Sequence, residues 1–324
     1  FPKVLMYHGV VKEGEQLDCW WLLGEGVFRR QVEYVNDNFC VVSLDDVYRH
    51  ISSNKTLPKN ACVITFDDGY KNYLTTALPV LKKKGLPSTV YIPSHLCENQ
   101  DTIWTDKLFT ALYNSRRISL DLTDLGLGFW KMSPKLERMR TAHALVDLLK
   151  KRPVEVKSTQ LDMILKRLED QPEWQSYPGP NPFELLSVKE IEYLSKEPLV
   201  TIGSHSANHE VLTNLSEEKI EYEVRSSKRM LEEWIGRPVN HFSYPDGKYN
   251  GKVVGYVRQG GFKTAVRIGL TIVSRKRLFE VPRLAVGSWD SDHEFKSMVN
   301  GLVSVKVETR NFFRRLNGEI HQEC

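Results

Sequence analysis

No stretch of this chain approaches the ~18 consecutive apolar residues that a membrane-spanning helix requires, so no membrane span is expected. There is no internal repeat and no low-complexity segment, which argues against a solenoid or a flexible array. Cysteine is scarce. The five residues Cys19, Cys40, Cys62, Cys97 and Cys324 are odd in number and never form a C-x-x-C pair. That argues against a disulfide framework and against a structural zinc site, and it leans towards a reducing compartment. A strong charge bias is lacking too. Interspersed acids and bases leave a formal net charge of only +4, which does not mark a nucleic-acid binder. The expected location is the cytoplasm. Because the chain opens on Phe1 rather than Met, a leader sequence and a secreted or envelope-associated protein stay open as alternatives.

The 324 residues, 41% hydrophobic and 27% charged, suffice for one large α/β domain with an insertion or for two domains. Short apolar runs alternate with helical patterns. Strands are predicted at Val4–Met6, Ala61–Phe66, Ser88–Ile92, Leu199–Gly203, His241–Tyr244, Thr264–Val266 and Phe279–Val281. Between them, a helix over 72–84 stops at Gly85, and Ser187-x-x-Glu190 reads as a capping box. Ser216 opens a helix with Ile220, Val224, Leu231 and Trp234 on one face, ending at Gly236 before Pro238. Strands alternating with helices predict parallel β-α units, closed as a barrel or open as a doubly wound sheet. Residues 97–186 break the rhythm. Ser133-Pro134 starts a helix with Leu136, Met139, Ala142, Val146 and Leu149 at spacings of three and four. A second helix after Pro153 carries Leu161, Ile164, Leu165 and Leu168, and a Pro/Gly-rich stretch follows. This region reads as a helical insertion.

Chemically capable residues fall just after the predicted strands. His8 follows the first, Asp67-Asp68 another, Ser204-His205 a third and Tyr244-Pro245-Asp246-Gly247 a fourth. In β/α barrels the C-terminal strand ends converge on one site. Two adjacent acids ending the buried-looking run Ala61–Phe66 call for a partner, because an unpaired buried charge is costly. The plainer reading of Asp68-Gly69 is a hairpin turn. His205-Ser206-Ala207-Asn208-His209 places two histidines four apart, on one side of a helical turn. With an Asp they form a two-His, one-carboxylate set suited to Zn, Fe, Co or Ni. The plainer reading of Pro245-Asp246-Gly247 is an ordinary turn.

Taken together, Thr65-Phe66-Asp67-Asp68-Gly69-Tyr70, His205-Ser206-Ala207-Asn208-His209 and Tyr244-Pro245-Asp246-Gly247, in that order, resemble the motifs of the polysaccharide deacetylases. These are the chitin-deacetylase-like group of carbohydrate esterase family 4. The opening Met6-Tyr7-His8-Gly9-Val10 is also similar. The resemblance covers residues 1–96 and 186–290. It implies an α/β fold, a distorted (β/α)7-type barrel formed by a single catalytic domain over 1–324, with the helical insertion at 97–186. It also implies a hydrolase that uses one divalent metal ion to remove N-acetyl groups from a sugar. Zinc is the first expectation for the metal, with cobalt, nickel or iron as alternatives. By the same resemblance Asp68, His205 and His209 are the metal ligands, Asp67 is the general base, and Asp246 donates its backbone N–H to the oxyanion.

The sequence departs from the family pattern twice. Many members carry an Arg two residues before the Pro of the third motif, where this chain has Ser243. Arg283 is the candidate to supply that cation from elsewhere; its alternative is a surface salt bridge. The late Leu-x-His motif of many members is absent, so His8 becomes a candidate general acid or substrate ligand, with metal-bound water or a protonated Asp67 as the other candidate acids. The implied partner is an N-acetylated glycan, glycolipid or envelope precursor, with no nucleic acid and with the oligomeric state open. The competing functions are an amidase for a small non-sugar amide or imide, and a non-catalytic glycan-binding module. Trp20, Trp21, Trp104 and Trp289 are candidates for stacking on sugar rings, with partial burial in the core as the alternative. Phe312-Phe313, between arginines in 310–315, could touch a membrane surface or an acidic partner, with a packed terminal helix that has a solvated basic face as the plainer reading.

Overall fold

The computed structural model describes residues 2–15, 17, 19–53, 55–169, 181–269 and 278–302. They fall into two compact units, one running to Asp101 and from Pro182 to Leu302, the other between Thr102 and Asn181.

The first unit is a closed barrel of seven parallel strands. The strands are β1 (Lys3–Tyr7), β2 (Ala61–Phe66), β3 (Ser88–Ile92), β4 (Val200–Ser204), β5 (His241–Ser243), β6 (Thr264–Ile268) and β7 (Val281–Ala285). Each strand pairs with its neighbour in chain order, and β7 returns to pair with β1. Leu5 marks the closure, lying beside Ile64 of β2 and Leu284 of β7. The seam between β4 and β5 is thin, with Phe242↔Ser204 its single registered pair.

All-parallel strands are covered on both faces and read as continuous apolar runs. All six residues of β2 and all five of β3 are buried, and both match their sequence-predicted bounds. β7 does not. It was expected at Phe279–Val281 and runs from Val281 to Ala285. Pro282 breaks the apolar pattern and lacks a ladder donor, which hides the strand in the sequence. Two further strand pairings escape the sequence reading because they are so short: Gly9–Val11 with Leu22–Gly24, and Cys40–Val41 with the start of β2. The helices Glu25–Asn38 and Leu44–Ser53 were also not foreseen.

One buried cluster joins Val4, Val63, Tyr91, Val266 and Val281, from five strands, to Leu44 and Val47 of the helix Leu44–Ser53. Asp45 of that helix accepts a bond from buried His241 at 3.1 Å, while the other ring nitrogen meets Thr264 Oγ1 at 2.8 Å. The helix predicted over 72–84 begins as a wide turn, Tyr73–Ala77, before the α-helix Leu78–Lys84. Pro79, at the junction, has no N–H to offer the tighter α ladder. The capping box Ser187–Glu190 forms with both arms in place. Ser216 caps Glu217–Ile235, which stops at Gly236 in the left-handed conformation, φ 65°.

The second unit holds the helices Trp104–Asn114, Lys135–Leu149 and Val154–Glu169. Met139, Ala142, Leu149, Leu161, Ile164 and Leu168 are buried, on the faces the spacing predicts. An antiparallel hairpin, Ser119–Leu122 with Gly128–Lys131, adds strand structure that the sequence pattern did not suggest. Residues 184–186 belong to the first unit and clasp the loop after β2: Lys71 N–H bonds Glu184 and Leu186 N–H bonds Gly69. No helix among the described residues is long and apolar enough to cross a membrane. The stretch Arg310–Arg315 with Phe312-Phe313 lies outside the described residues.

Gly203 of β4 lets Tyr91 of β3 lie flat against the backbone. A Cβ there would sit 2.5 Å from the ring and 3.2 Å from the His241 carbonyl. Gly203→Ala is therefore expected to cost about 1–3 kcal/mol through overpacking, read as a lower urea midpoint with an unchanged slope.

Candidate active site at the C-terminal mouth of the barrel

The strand ladders run one residue past β2 and β4. Asp67 N–H bonds the Tyr7 carbonyl of β1, and His205 N–H bonds the Ile92 carbonyl of β3, both at 2.9 Å. The rigid sheet thus fixes the backbone from which both side chains spring. Asp67, Asp68, His205 and Arg283 are buried and His209 is half-buried.

Asp67 and Arg283 form a two-pronged ion pair. The guanidinium nitrogens donate to Oδ1 and Oδ2 at 2.6 Å each. Arg283 is 1% exposed, so its alternative as a surface salt bridge is overturned. It also lies within β7 rather than after a strand. The same guanidinium donates to Ser243 Oγ at 2.9 Å and Thr65 Oγ1 at 3.2 Å, and Ser243 Oγ donates to Asp67 Oδ2 at 3.2 Å. Thr65 in turn donates to the Leu5 carbonyl at 2.7 Å. Burial alone would raise the Asp67 carboxyl; the charges of Arg283 and His205 and the Arg283 bond outweigh it and hold the group below the ordinary carboxylate range. Ser243 and Thr65 were not identified as members of this cage. Their signal, a hydroxyl at a strand end, is too common to stand out.

Asp68 meets the two histidines. His205 Nε2 lies 3.4 Å and His209 Nε2 3.2 Å from its Oδ1. One ligand atom from each of the three residues falls within 4.8 Å of the others. The expected helical turn is not what brings the histidines together. Residues 205–209 form a loop in which Ser206 and His209 adopt φ of 63° and 56°. His205 Nδ1 faces the Ser243 carbonyl at 2.8 Å. A carbonyl only accepts, so Nδ1 carries the proton and Nε2 turns its lone pair, in the neutral ring, towards the Asp68 carboxylate. Two acceptors at that range require a proton or a cation between them. The donor set, its spacing and this orientation fit a divalent ion. Burial would raise the Asp68 carboxyl; with protonated imidazoles at His205 and His209, the bonds they donate outweigh it and hold the group well below the usual range.

His8 follows β1 and packs edge-on against Trp20, ring centroids 5.1 Å apart. Burial pushes its pKa down, and the charges of Asp68 and Asp67 offset part of the effect. Asp246 sits after β5 in a turn closed by Gly247 N–H on the Tyr244 carbonyl at 2.8 Å, with φ 58°. Four of the six described non-glycine residues at positive φ (Asp68, Ser206, His209 and Asp246) lie in these motifs. Such concentrated backbone strain is typical of functional sites. Of the candidate tryptophans, Trp20 and Trp21 are half-buried near His8, Trp289 is half-buried after β7, and Trp104 lies in the second unit with the Lys157 ammonium 4.7 Å above its ring.

A closed parallel barrel with paired carboxylates and histidines at its C-terminal mouth is the layout of a β/α-barrel enzyme site. The chain belongs to the polysaccharide deacetylase family, whose model matches residues 54–121 and 140–265, more than half of the chain. A peptidoglycan-N-acetylglucosamine deacetylase of Bacillus cereus is 32% identical over 82 residues, a segment covering 24% of this chain and only 38% of that relative. Among solved structures, the Streptococcus pyogenes deacetylase PplD in complex with acetate superposes with a TM-score of 0.59 at 17% identity, covering 92% of this chain and 97% of its own. IcaB from Ammonifex degensii gives 0.58 at 15% identity, covering 92% and 95%. At these identities the two structures speak for the fold alone.

Arg283→Met would strand the buried Asp67 carboxylate. The expected loss is about 3–5 kcal/mol in urea unfolding. Arg283→Met combined with Asp67→Asn should lose clearly less than the sum of the single changes, since the two residues share one interaction.

Proposed function

We propose that the chain is a metal-dependent hydrolase removing N-acetyl groups from an N-acetylated sugar in a polysaccharide, glycolipid or envelope precursor. We read residues 1–324 as one catalytic domain interrupted at 97–186. The observation that carries this reading is the juxtaposition of two carboxylates in different roles. Asp67 is caged by Arg283 at 2.6 Å, and Asp68 is 3.2–3.4 Å from two imidazoles. Family membership and the peptidoglycan deacetylase relative support an acetylated glycan as substrate.

Asp68, His205 and His209 would hold the ion, zinc by first expectation. When bound, such an ion supplies Lewis-acid chemistry, polarising the acetamide carbonyl and making a water more acidic. Asp67 is the general base. Arg283 and Ser243 keep it ionised and fix both its oxygens, so it is ready to accept a proton without reorganising. Arg283 acts through Asp67 and is a positioning residue. The backbone N–H of Asp246, on the rigid Pro245 turn, would donate to the developing oxyanion. His8 is the general acid. Burial lowers its pKa, so the neutral ring would first take up the proton that Asp67 removes from water and then give it readily to the departing sugar amine.

Acetate release from N-acetylated saccharides tests this. Chelator should abolish release and zinc should restore it. Asp67→Asn should lower the rate about 10²–10⁴-fold. Release that survives chelation, or full activity in Asp67→Asn, would sink the mechanism. Ammonia or a small acid from an imide, without acetate from any glycan, would favour an amidase instead.

A further inference from the structure

Glu223 is a carboxylate in the wrong place for a surface residue. It lies on the helix Glu217–Ile235, in the same stripe as Ile220, Val224, Ser227 and Leu231, and is 4% exposed. The charge is nonetheless fully engaged. Oε2 accepts the backbone N–H of Ala207 at 2.9 Å and of Asn208 at 2.8 Å, and Oε1 accepts Asn208 Nδ2 at 2.7 Å. Those two amides are the centre of the loop that joins His205 to His209.

The rest of the loop is held from the other side. Ser94 and His95, opening the helix Ser94–Asn99, donate backbone N–H to the Ser206 and Ala207 carbonyls at 3.2 and 3.0 Å. Within the loop, His209 N–H donates to Ser206 Oγ at 3.1 Å. One helical turn beyond Glu223, Ser227 Oγ meets Ser204 Oγ at 2.7 Å. The loop's two left-handed residues, Ser206 and His209, flank the amides that Glu223 binds. Successive N–H groups next to a left-handed residue form an anion-binding concavity, and here the protein fills it with its own carboxylate.

We infer that Glu223 is a positioning residue that locks His209 into the left-handed conformation aiming its Nε2 at the metal site. This rests on the metal reading given under Proposed function. Without the carboxylate, two buried amides lose their acceptor. The loop then relaxes towards ordinary φ at His209, which swings the imidazole away from Asp68. A residue that merely fills the core would leave metal affinity alone.

The test is Zn²⁺ affinity by competition with a chromophoric chelator, on wild type, Glu223→Ala and Glu223→Gln. It is paired with thermal unfolding and hydrogen exchange of the metal-free proteins. Glu223→Ala should bind Zn²⁺ about 10–100-fold more weakly, with faster exchange at the Ala207 and Asn208 amides. Glu223→Gln keeps an oxygen for those amides and the side-chain volume. It should fold even where the Ala variant does not, and lose about tenfold, the lower end of the usual range for such supporting contacts. Folded variants holding Zn²⁺ with wild-type affinity overturn the role of Glu223 alone. A wild-type chain that takes up no Zn²⁺ overturns the metal reading and this inference with it.

Discussion

The guanidinium of Arg283 and the carboxylate of Asp67 lie inside a closed barrel, and the site is organised around their contact. β1 separates β2, which carries Asp67, from β7, which carries Arg283. The pair therefore crosses the interior above β1 and ties both of its neighbours together at the closure. Ser243 brings in β5, and Thr65, bonded to the Leu5 carbonyl, ties the network back to β1. A buried ion pair is weak grounds for stability, since well-packed apolar residues of similar volume often do as well. Its position at the mouth, with every oxygen of Asp67 engaged, is better explained by the need for an ionised carboxylate at a fixed place.

Two adjacent carboxylates at one buried strand end would repel each other if they shared an environment. Here each has its own main partner, although His205 Nε2 also lies 3.7 Å from Asp67 Oδ2. Asp67 turns to Arg283, while Asp68, at φ 71°, turns to His205 and His209. The left-handed backbone at Asp68 is what keeps both carboxylates at the mouth, because two residues in regular extended geometry would have sent their side chains to opposite faces of the sheet. Asp tolerates that conformation better than most residues. The same device recurs at Ser206, His209 and Asp246. The strands supply rigidity, and the strained residues just beyond them supply aim.

Much of this was legible in the chain. Buried parallel strands leave runs such as Ala61–Phe66 and Ser88–Ile92 whose limits can be read directly, and the chemistry follows their ends. Less legible were the features that depend on distance in sequence or on local strain. Arg283 and Asp67 are 216 residues apart, so nothing local to either names the other. Pro282 disguises the strand that carries Arg283. The spacing of His205 and His209 is the same for a helical turn and for the loop that forms, and only the backbone distinguishes them. Glu223 did leave a trace, an acid inside the apolar stripe of an amphipathic helix, and that exception to the pattern is physically informative.

The departure at Ser243 shows how a barrel accommodates change. By resemblance, a cation was expected on that strand end; the structure has a serine there and a guanidinium arriving from β7. Inward-facing positions at one level of a barrel converge although their strands are far apart in sequence. A charge needed at the centre can thus come from any strand whose side chain reaches it. Position 243 still points at the same carboxylate, its hydroxyl 3.2 Å from Asp67 and 2.9 Å from Arg283. A small side chain on β5 leaves room for the long one from β7, so the serine and the arginine read as two halves of a single solution. The quantity held fixed is the positive charge against both oxygens of Asp67, whichever strand presents it.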